Sequence, residues 1–546
     1  MKNEISLVLK LLEAGNTEKA LFEAKKLYQI NENNLNTVKV LVYAYIQLGN
    51  FEKVIFLLDK HFRLKKENQD FDYHNNLGYA LSQTEDYERA IPHLEQAIAL
   101  QPKNMTGYTN LATIYQKLRK FIEAQKYIYK SLSLVNELGP AHYTRYSNIF
   151  LLLTEINSSL GQDEKTVELF NKILNEQFNE NIFYLLTITK PNSVNSNLIK
   201  IAESHLNSNL EIHQSKLERF NHVTPIYFGL GNFYQSLDKK KSESFYEGGN
   251  QEIFNSSKYN SHSYQQKILK IIEYFEQYLE GYDESDDDAG SKNFFIVGSP
   301  RSGTTLVESI VSANDITFSG GELTSAKNLF EKQIFSTRPD FNEFKYVFQT
   351  KYLHRSSFLK QEKEYLIDKM PENFLFIGFL SKILPRSKII RVLRNPWDIA
   401  TSLFKQRYII NIPYSSSFFN IGVFLANFEA INVYWSKKIQ RPGALLDLKY
   451  EDLVSNKNEH QRKIYEFLEI PSNEYNEEKR LSFFSPTASI RQVKSKIHQN
   501  SINKEEFLHK KQEFYDAFHM QRLFWLKKGI IEENSGLYGD FTDYLK

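Results

Sequence analysis

The sequence predicts an α-solenoid of helix pairs followed by an α/β, P-loop-like domain built on a parallel sheet. Two observations carry this expectation. A turn-plus-helix unit recurs four times in the first 134 positions, and from Lys292 the pattern changes to short apolar strands, each leading into a turn and a helix. The first of those strands runs into a glycine-bearing loop, FIVGSPRSGTTL at 295–306.

The four units are GNTEKALFEAKKLYQI (15–30), GNFEKVIFLLDKHFRL (49–64), TEDYERAIPHLEQAIAL (84–100) and LRKFIEAQKYIYKSLSL (118–134). Their anchors Ala20, Val54, Ala90 and Ala124 lie 34, 36 and 34 residues apart, which is the tetratricopeptide period. The clearest copy spans 71–104, with Leu77, Gly78, Leu81, Ala90, Leu94, Ala97 and Pro102 at packing positions. Gly78 and Ala90 permit close helix crossing, and Pro102 stops the second helix. A fifth pair is expected around 153–174 and a degenerate one at 226–250. Such stacks present a concave face to peptides or proteins. Residues 262–282 read as one more amphipathic helix, and the acidic run 283–291 as a solvated linker. The expected organisation is therefore 1–250 tetratricopeptide-repeat domain, 251–291 connecting helix and acidic linker, and 292–546 α/β domain.

Composition narrows the function. The 546 residues contain 41% hydrophobic and 14% aromatic side chains, enough for more than one core. A formal charge of +2 is too small for electrostatic binding of nucleic acid. There is no cysteine, hence no disulfide framework and no thiolate metal site. The N-terminus has acidic residues and no long apolar core, so no signal peptide is expected. No window approaches the length of a membrane span. A cytoplasmic chain is the expectation; whether it forms a homo-oligomer is open.

In the second half, Gly298 and Gly303 have P-loop spacing, but Thr304 and Thr305 stand where a nucleotide P-loop has Lys and Ser or Thr. The helix that opens there offers unpaired backbone N–H groups and a favourable dipole to an anion. The hydroxyls of Ser302, Thr304 and Thr305 and the cation of Arg301 add to that cradle. Three further apolar segments, YLID (365–368), IIRVL (389–393) and ALLDL (444–448), end at Lys369, Arg394 and Lys449-Tyr450. If they are neighbouring parallel strands, the loop, Lys369, Arg394 and Tyr450 converge on one crevice. Ser402, eight residues past Arg394 on the next helix, suits a second anion. Two separated anion sites fit a nucleotide with separated phosphates better than a triphosphate.

At these residues the chain resembles the sulfotransferases that use 3′-phosphoadenosine 5′-phosphosulfate (PAPS). PRSGTT is similar to their 5′-phosphosulfate loop, RVLRNPWDIATS to their 3′-phosphate motif, and LKYEDLV (448–454) to their RYEDL segment. The resemblance spans roughly 292–546. With the repeats, the chain resembles bacterial tetratricopeptide–sulfotransferase proteins, whose catalytic domain is similar to protein-tyrosine sulfotransferase. That resemblance implies PAPS as co-substrate, 3′-phosphoadenosine 5′-phosphate (PAP) as product, and no required metal. It implies cofactor binding by Arg301, Ser302, Gly303, Thr304, Thr305, Arg394, Ser402, Tyr450 and Lys504.

Sulfuryl transfer asks for a base on the acceptor hydroxyl, donors for the sulfonate oxygens and a cation at the departing phosphate oxygen. Glu322, in FSGGEL after a glycine turn, is the expected base; the resemblance carries the general base of the tyrosine-specific relatives to this position. Lys369 matches the family lysine at the bridging oxygen, Arg301 shares the sulfonate neighbourhood, and Ser489 matches a serine that helps stabilise the transition state. Asp315 and Glu308 are read as surface charges. After Glu322 stands Leu323-Thr324-Ser325, where the tyrosine-specific enzymes carry residues that read acidic peptides. The expected acceptor is a protein or peptide hydroxyl held through the concave repeat face, tyrosine included, with a small-molecule or glycan hydroxyl as the alternative. Two other classes stay open: a P-loop kinase with Asp368 and Asp447 as magnesium partners, and a non-catalytic scaffold.

Overall fold

The computed structural model describes residues 2–62, 70–213, 215–256, 259–280, 288–336, 340–408, 412–439, 441–481, 483, 502, 505–533 and 535–538. Contacts divide the chain into two compact units, Met1–His142 and Tyr143–Lys546.

The first unit is a stack of helix pairs: Lys2–Glu13 with Thr17–Ile30, Leu35–Gln47 with Phe51–Phe62, Phe71–Gln83 with Tyr87–Leu100, and Met105–Lys117 with Phe121–Leu138. All four repeats read in the sequence are helices at the expected places. The sequence period is also a backbone period. Gly15, Gly49, Glu85 and Arg119 each close a turn with φ between 61° and 72°, at the same 34, 36 and 34 spacing. Glycine adopts this left-handed region freely; Glu85 and Arg119 hold it against a steric penalty. Asn34, Asp70 and Asn104 cap the first helices of successive pairs with side-chain oxygens. Gly78 is where the sequence places a close crossing, and a Cβ there would lie 2.6 Å from Leu94 Cγ.

The second unit joins more helices to a five-stranded sheet. The strands are β1 (Asn293–Gly298), β2 (Thr317–Ser319), β3 (Tyr365–Asp368), β4 (Lys388–Leu393) and β5 (Leu445–Lys449). All pairings are parallel, in the order β2-β3-β1-β4-β5. Side chains of β1 alternate between two cores. Phe294 and Ile296 face a core with Val307, Ile310 and Leu453; Phe295 and Val297 face one with Phe374, Phe379 and Trp435. Strands buried on both faces read as unbroken apolar runs, which is why NFFIVG and IIRVL were legible. β2 was not expected. Three residues carry no readable period, and only pairing with β3 defines them.

The helix pairs expected at 153–174 and 226–250 are present, as Ser147–Ser159 with Asp163–Glu176 and Thr224–Tyr234 with Lys239–Ser256. Their place in the chain differs from the boundary drawn at 250. Phe228, Tyr246 and Ile253 belong to the same core as Phe295 and Trp435, and Asn250 Nδ2 donates to the Phe404 carbonyl at 2.7 Å. Burial shared across 250 therefore ties the pair Thr224–Tyr234 and Lys239–Ser256 to the sheet's core, and the pair Ser147–Ser159 and Asp163–Glu176 falls within the same compact unit, Tyr143–Lys546. The helix expected at 262–282 is observed as Ser261–Tyr278. Positions 283–287 of the acidic run lie outside the described residues. Among the described residues, no helix is long and apolar enough to cross a membrane.

Candidate active site

The chain leaves β1 at the middle of the sheet, visits β2 and β3 on one flank, then crosses to β4 and β5 on the other. The carboxyl ends of β3, β1 and β4 thus open onto one crevice at a reversal of strand order, the usual ligand position in such sheets. The loop after β1 lies there. Arg301 has φ 70° and Gly303 φ 104°, and Gly303 caps the helix Thr304–Val311. Glycine at 303 is required twice, by that φ and by the ring of Tyr450: a Cβ would meet Tyr450 Cδ2 at 2.3 Å. Gly303→Ala is therefore expected to cost about 1–3 kcal/mol through strain and overpacking. It should also displace the loop, read as a lowered melting temperature together with lost nucleotide binding.

Arg301, Ser302, Thr304 and Thr305 are all buried. The Ser302 hydroxyl makes no hydrogen bond to another protein atom, so a donor inside the cradle is left for an anion. Arg301 Nε donates to Ser402 Oγ at 2.9 Å, and Arg394 Nη1 donates to the Arg301 carbonyl at 2.9 Å. Arg394 also lies over the Tyr450 ring, 4.5 Å from its centroid. Burial lowers the pKa of Arg301, and the neighbouring Arg394 guanidinium acts in the same direction. Two buried cations this close are relieved by an anion between them. The loop, Arg394, Ser402 and Tyr450 are thus brought together as the sequence implied. Asn395 caps the helix Pro396–Phe404 through the N–H groups of Trp397 and Asp398, and its own N–H donates to Glu451 Oε1 at 2.8 Å. This fixes where the strand end carrying Arg394 turns into the helix carrying Ser402.

On the other side of β1, Lys369 follows β3 and is fully buried. Its Nζ donates to Glu322 Oε1 at 2.6 Å. Glu322 is the more open partner, with 41% of its side chain exposed. The glycine turn is held by two backbone bonds: the Gly320 N–H donates to the Ile367 carbonyl, and the Lys369 N–H to that of Gly321, both at 2.9 Å. β2 and β3 thereby set Glu322 beside Lys369.

Glu308 is not a surface charge. It is fully buried, its Oε1 accepts from the Ser319 hydroxyl, and its Oε2 lies 3.7 Å from Lys369 Nζ. The helix Thr304–Val311 is buried at every position, so it has no solvent face for a charge to occupy. A lone carboxylate in TTLVESIV, one turn past the loop, was the available signal. Asp315 is exposed and pairs with Lys479 at 2.8 Å, as a surface charge should. Tyr408 was also missed. Burial pushes its phenol up to about 12, Arg301 opposes the shift and Glu322 adds to it. No motif marks it. Ser489 and Lys504 lie outside the described residues.

Asp447 and Asp368 have other work. Asp447 receives Arg391 through Nε and Nη2, both at 2.6 Å. Asp368 Oδ2 accepts from the Tyr352 hydroxyl at 2.8 Å. Among the described residues no three His, Asp or Glu side chains are grouped to hold a metal ion.

Comparison with known proteins agrees with the two halves. Residues 293–474 match the Sulfotransferase family, and 71–104 and 106–134 match the tetratricopeptide repeat. An uncharacterized protein of Aquifex aeolicus (strain VF5) is 31% identical over 233 residues, 38% of this chain and 30% of that protein. Stress-induced-phosphoprotein 1 of Caenorhabditis elegans is 36% identical over 62 residues, 11% of this chain and 19% of that protein. The chain thus spans less than a third of either curated relative. Among solved structures, MamA 41-end from Desulfovibrio magneticus RS-1 is 20% identical, covering 32% of this chain and 93% of MamA 41-end at a TM-score of 0.27. PilF of Pseudomonas aeruginosa is 19% identical, covering 45% and 95% at 0.29. The chain carries a sulfotransferase-family domain preceded by tetratricopeptide repeats.

Proposed function

We propose that the chain is a sulfotransferase that moves the sulfuryl group of PAPS to an acceptor hydroxyl on a protein or peptide, tyrosine included, with the repeats presenting the acceptor. The observation that carries this reading is the convergence at one sheet edge of an anion cradle without a P-loop lysine, the Arg394–Ser402 pair and the Lys369–Glu322 pair. The donor supplies an activated sulfur–oxygen bond. The loop N–H groups and the hydroxyls of Ser302, Thr304 and Thr305 hold the 5′-phosphosulfate end. Arg394 and Ser402 take the 3′-phosphate. Glu322 removes the acceptor proton as the acceptor oxygen bonds to sulfur. Lys369 neutralises the phosphate oxygen that keeps the electron pair of the broken bond. Ser489 and Lys504 belong to this proposal as transition-state and phosphate contacts. An intracellular location and the absence of a metal requirement belong to it as well.

Calorimetry tests the donor half. PAP should bind more tightly than ATP or 5′-AMP, because neither of those carries a 3′-phosphate. Equal affinity for the three nucleotides would sink the reading. Incubating the protein with labelled sulfate donor and host lysate, then identifying the labelled species, tests the acceptor half. Label on small molecules or glycans alone would move the acceptor away from protein, and PAP binding with no labelled species would favour a scaffold.

A further inference from the structure

Lys369 stands between two carboxylates of opposite character. Glu322 is 2.6 Å away and reaches solvent; Glu308 is 3.7 Å away and sealed. Lys369 is engaged by Glu322 Oε1 at 2.6 Å, and the same ammonium is the cation that the departing phosphate oxygen needs. The reaction therefore needs Lys369 to leave Glu322 for the donor's phosphate oxygen. An ammonium that is fully buried and gives up its near carboxylate pays a large desolvation cost unless another charge stays beside it. Glu308 is that charge, and it cannot follow. Its Oε1 is held by the Ser319 hydroxyl, and the same Ser319 oxygen accepts from the Gly321 N–H at 3.3 Å. The helix after the loop, the end of β2 and the glycine turn before Glu322 are thus one network around the ammonium.

Resting on the sulfotransferase reading, we propose that Glu308 is a positioning residue that holds Lys369 at the end of β3 while Lys369 exchanges Glu322 for the donor. Donor binding then draws Lys369 off Glu322 Oε1, so both oxygens of the base are turned to the acceptor once the sulfuryl donor is in place.

The sign of one measurement separates this role from simple electrostatics. A carboxylate buried beside a phosphate site repels the nucleotide, so its loss should tighten binding. A carboxylate that holds the lysine should weaken binding when lost. The experiment is calorimetry with PAP on four full-length proteins: wild type, Glu308→Gln, Lys369→Met and the double variant. Glu308→Gln is expected to weaken PAP on the order of tenfold, the coupling of residues in direct contact. In the Lys369→Met background the same change should leave binding equal or tighter. Tightening in the wild-type background overturns the proposal, and so does equal weakening in both backgrounds. If Glu308→Gln does not fold, Ser319→Ala replaces it. That change frees the Glu308 carboxylate and should weaken PAP only when Lys369 is present. Failure of the wild type itself to bind PAP sinks the sulfotransferase reading, whereas failure confined to the Glu308 or Ser319 arms sinks only the positioning role.

Discussion

Glu322→Gln is expected to lower turnover about 10²- to 10⁴-fold, the weight of a positioned general base. The amide keeps the size and the hydrogen bond toward Lys369 but cannot accept the acceptor proton. Nucleotide affinity should not fall, because the carboxylate competes with the donor for Lys369 at 2.6 Å. The loss should shrink for acceptors of low hydroxyl pKa such as nitrophenols, which need less help to ionise. Asp315→Asn is the control, since Asp315 is exposed and its carboxylate pairs with Lys479. Steady-state rates with labelled donor decide the matter: full turnover by the Glu322→Gln enzyme removes Glu322 from the mechanism.

Arg394→Ala is expected to weaken PAP by about 1.5–3 kcal/mol, the worth of a charge-assisted contact. That is about 10- to 150-fold in affinity. The structure adds a second consequence. Arg394 Nη1 also fastens the Arg301 carbonyl, so 5′-AMP should weaken too, but less. Arg394→Lys keeps the charge and loses the fork, and should recover only part of the difference. Calorimetry with both nucleotides is the check. Equal losses for PAP and 5′-AMP would make Arg394 a brace for the loop and not a 3′-phosphate ligand.

Much of this site was readable in one dimension because each part is local. The loop residues are contiguous, and Arg394 and Ser402 sit on a strand end and the helix that follows it. Lys369 and Tyr450 mark strand ends that a parallel sheet must bring to one edge. Glu308 showed only as a lone carboxylate in an apolar helix, and Ser319 and Tyr408 were not readable. Their roles depend on partners 61, 11 and over 80 positions away, namely Lys369, Glu308 and the pair Arg301 and Glu322. A carboxylate in a helix reads as solvent-facing until something is known to cover that helix.

The sequence by itself determined the repeat period, the helix pairs, four of the five strands and the loop, because periodicity, glycine placement and unbroken apolar runs are properties of neighbouring residues. Tertiary structure alone decided three things: the short strand β2, the membership of the pair Thr224–Tyr234 and Lys239–Ser256 in the sheet's core, and the sealing of Glu308 against Lys369. Each is a matter of what covers a surface. Burial is set by distant segments, and it is burial that turns an ordinary glutamate beside a lysine into a constraint on how the lysine can move.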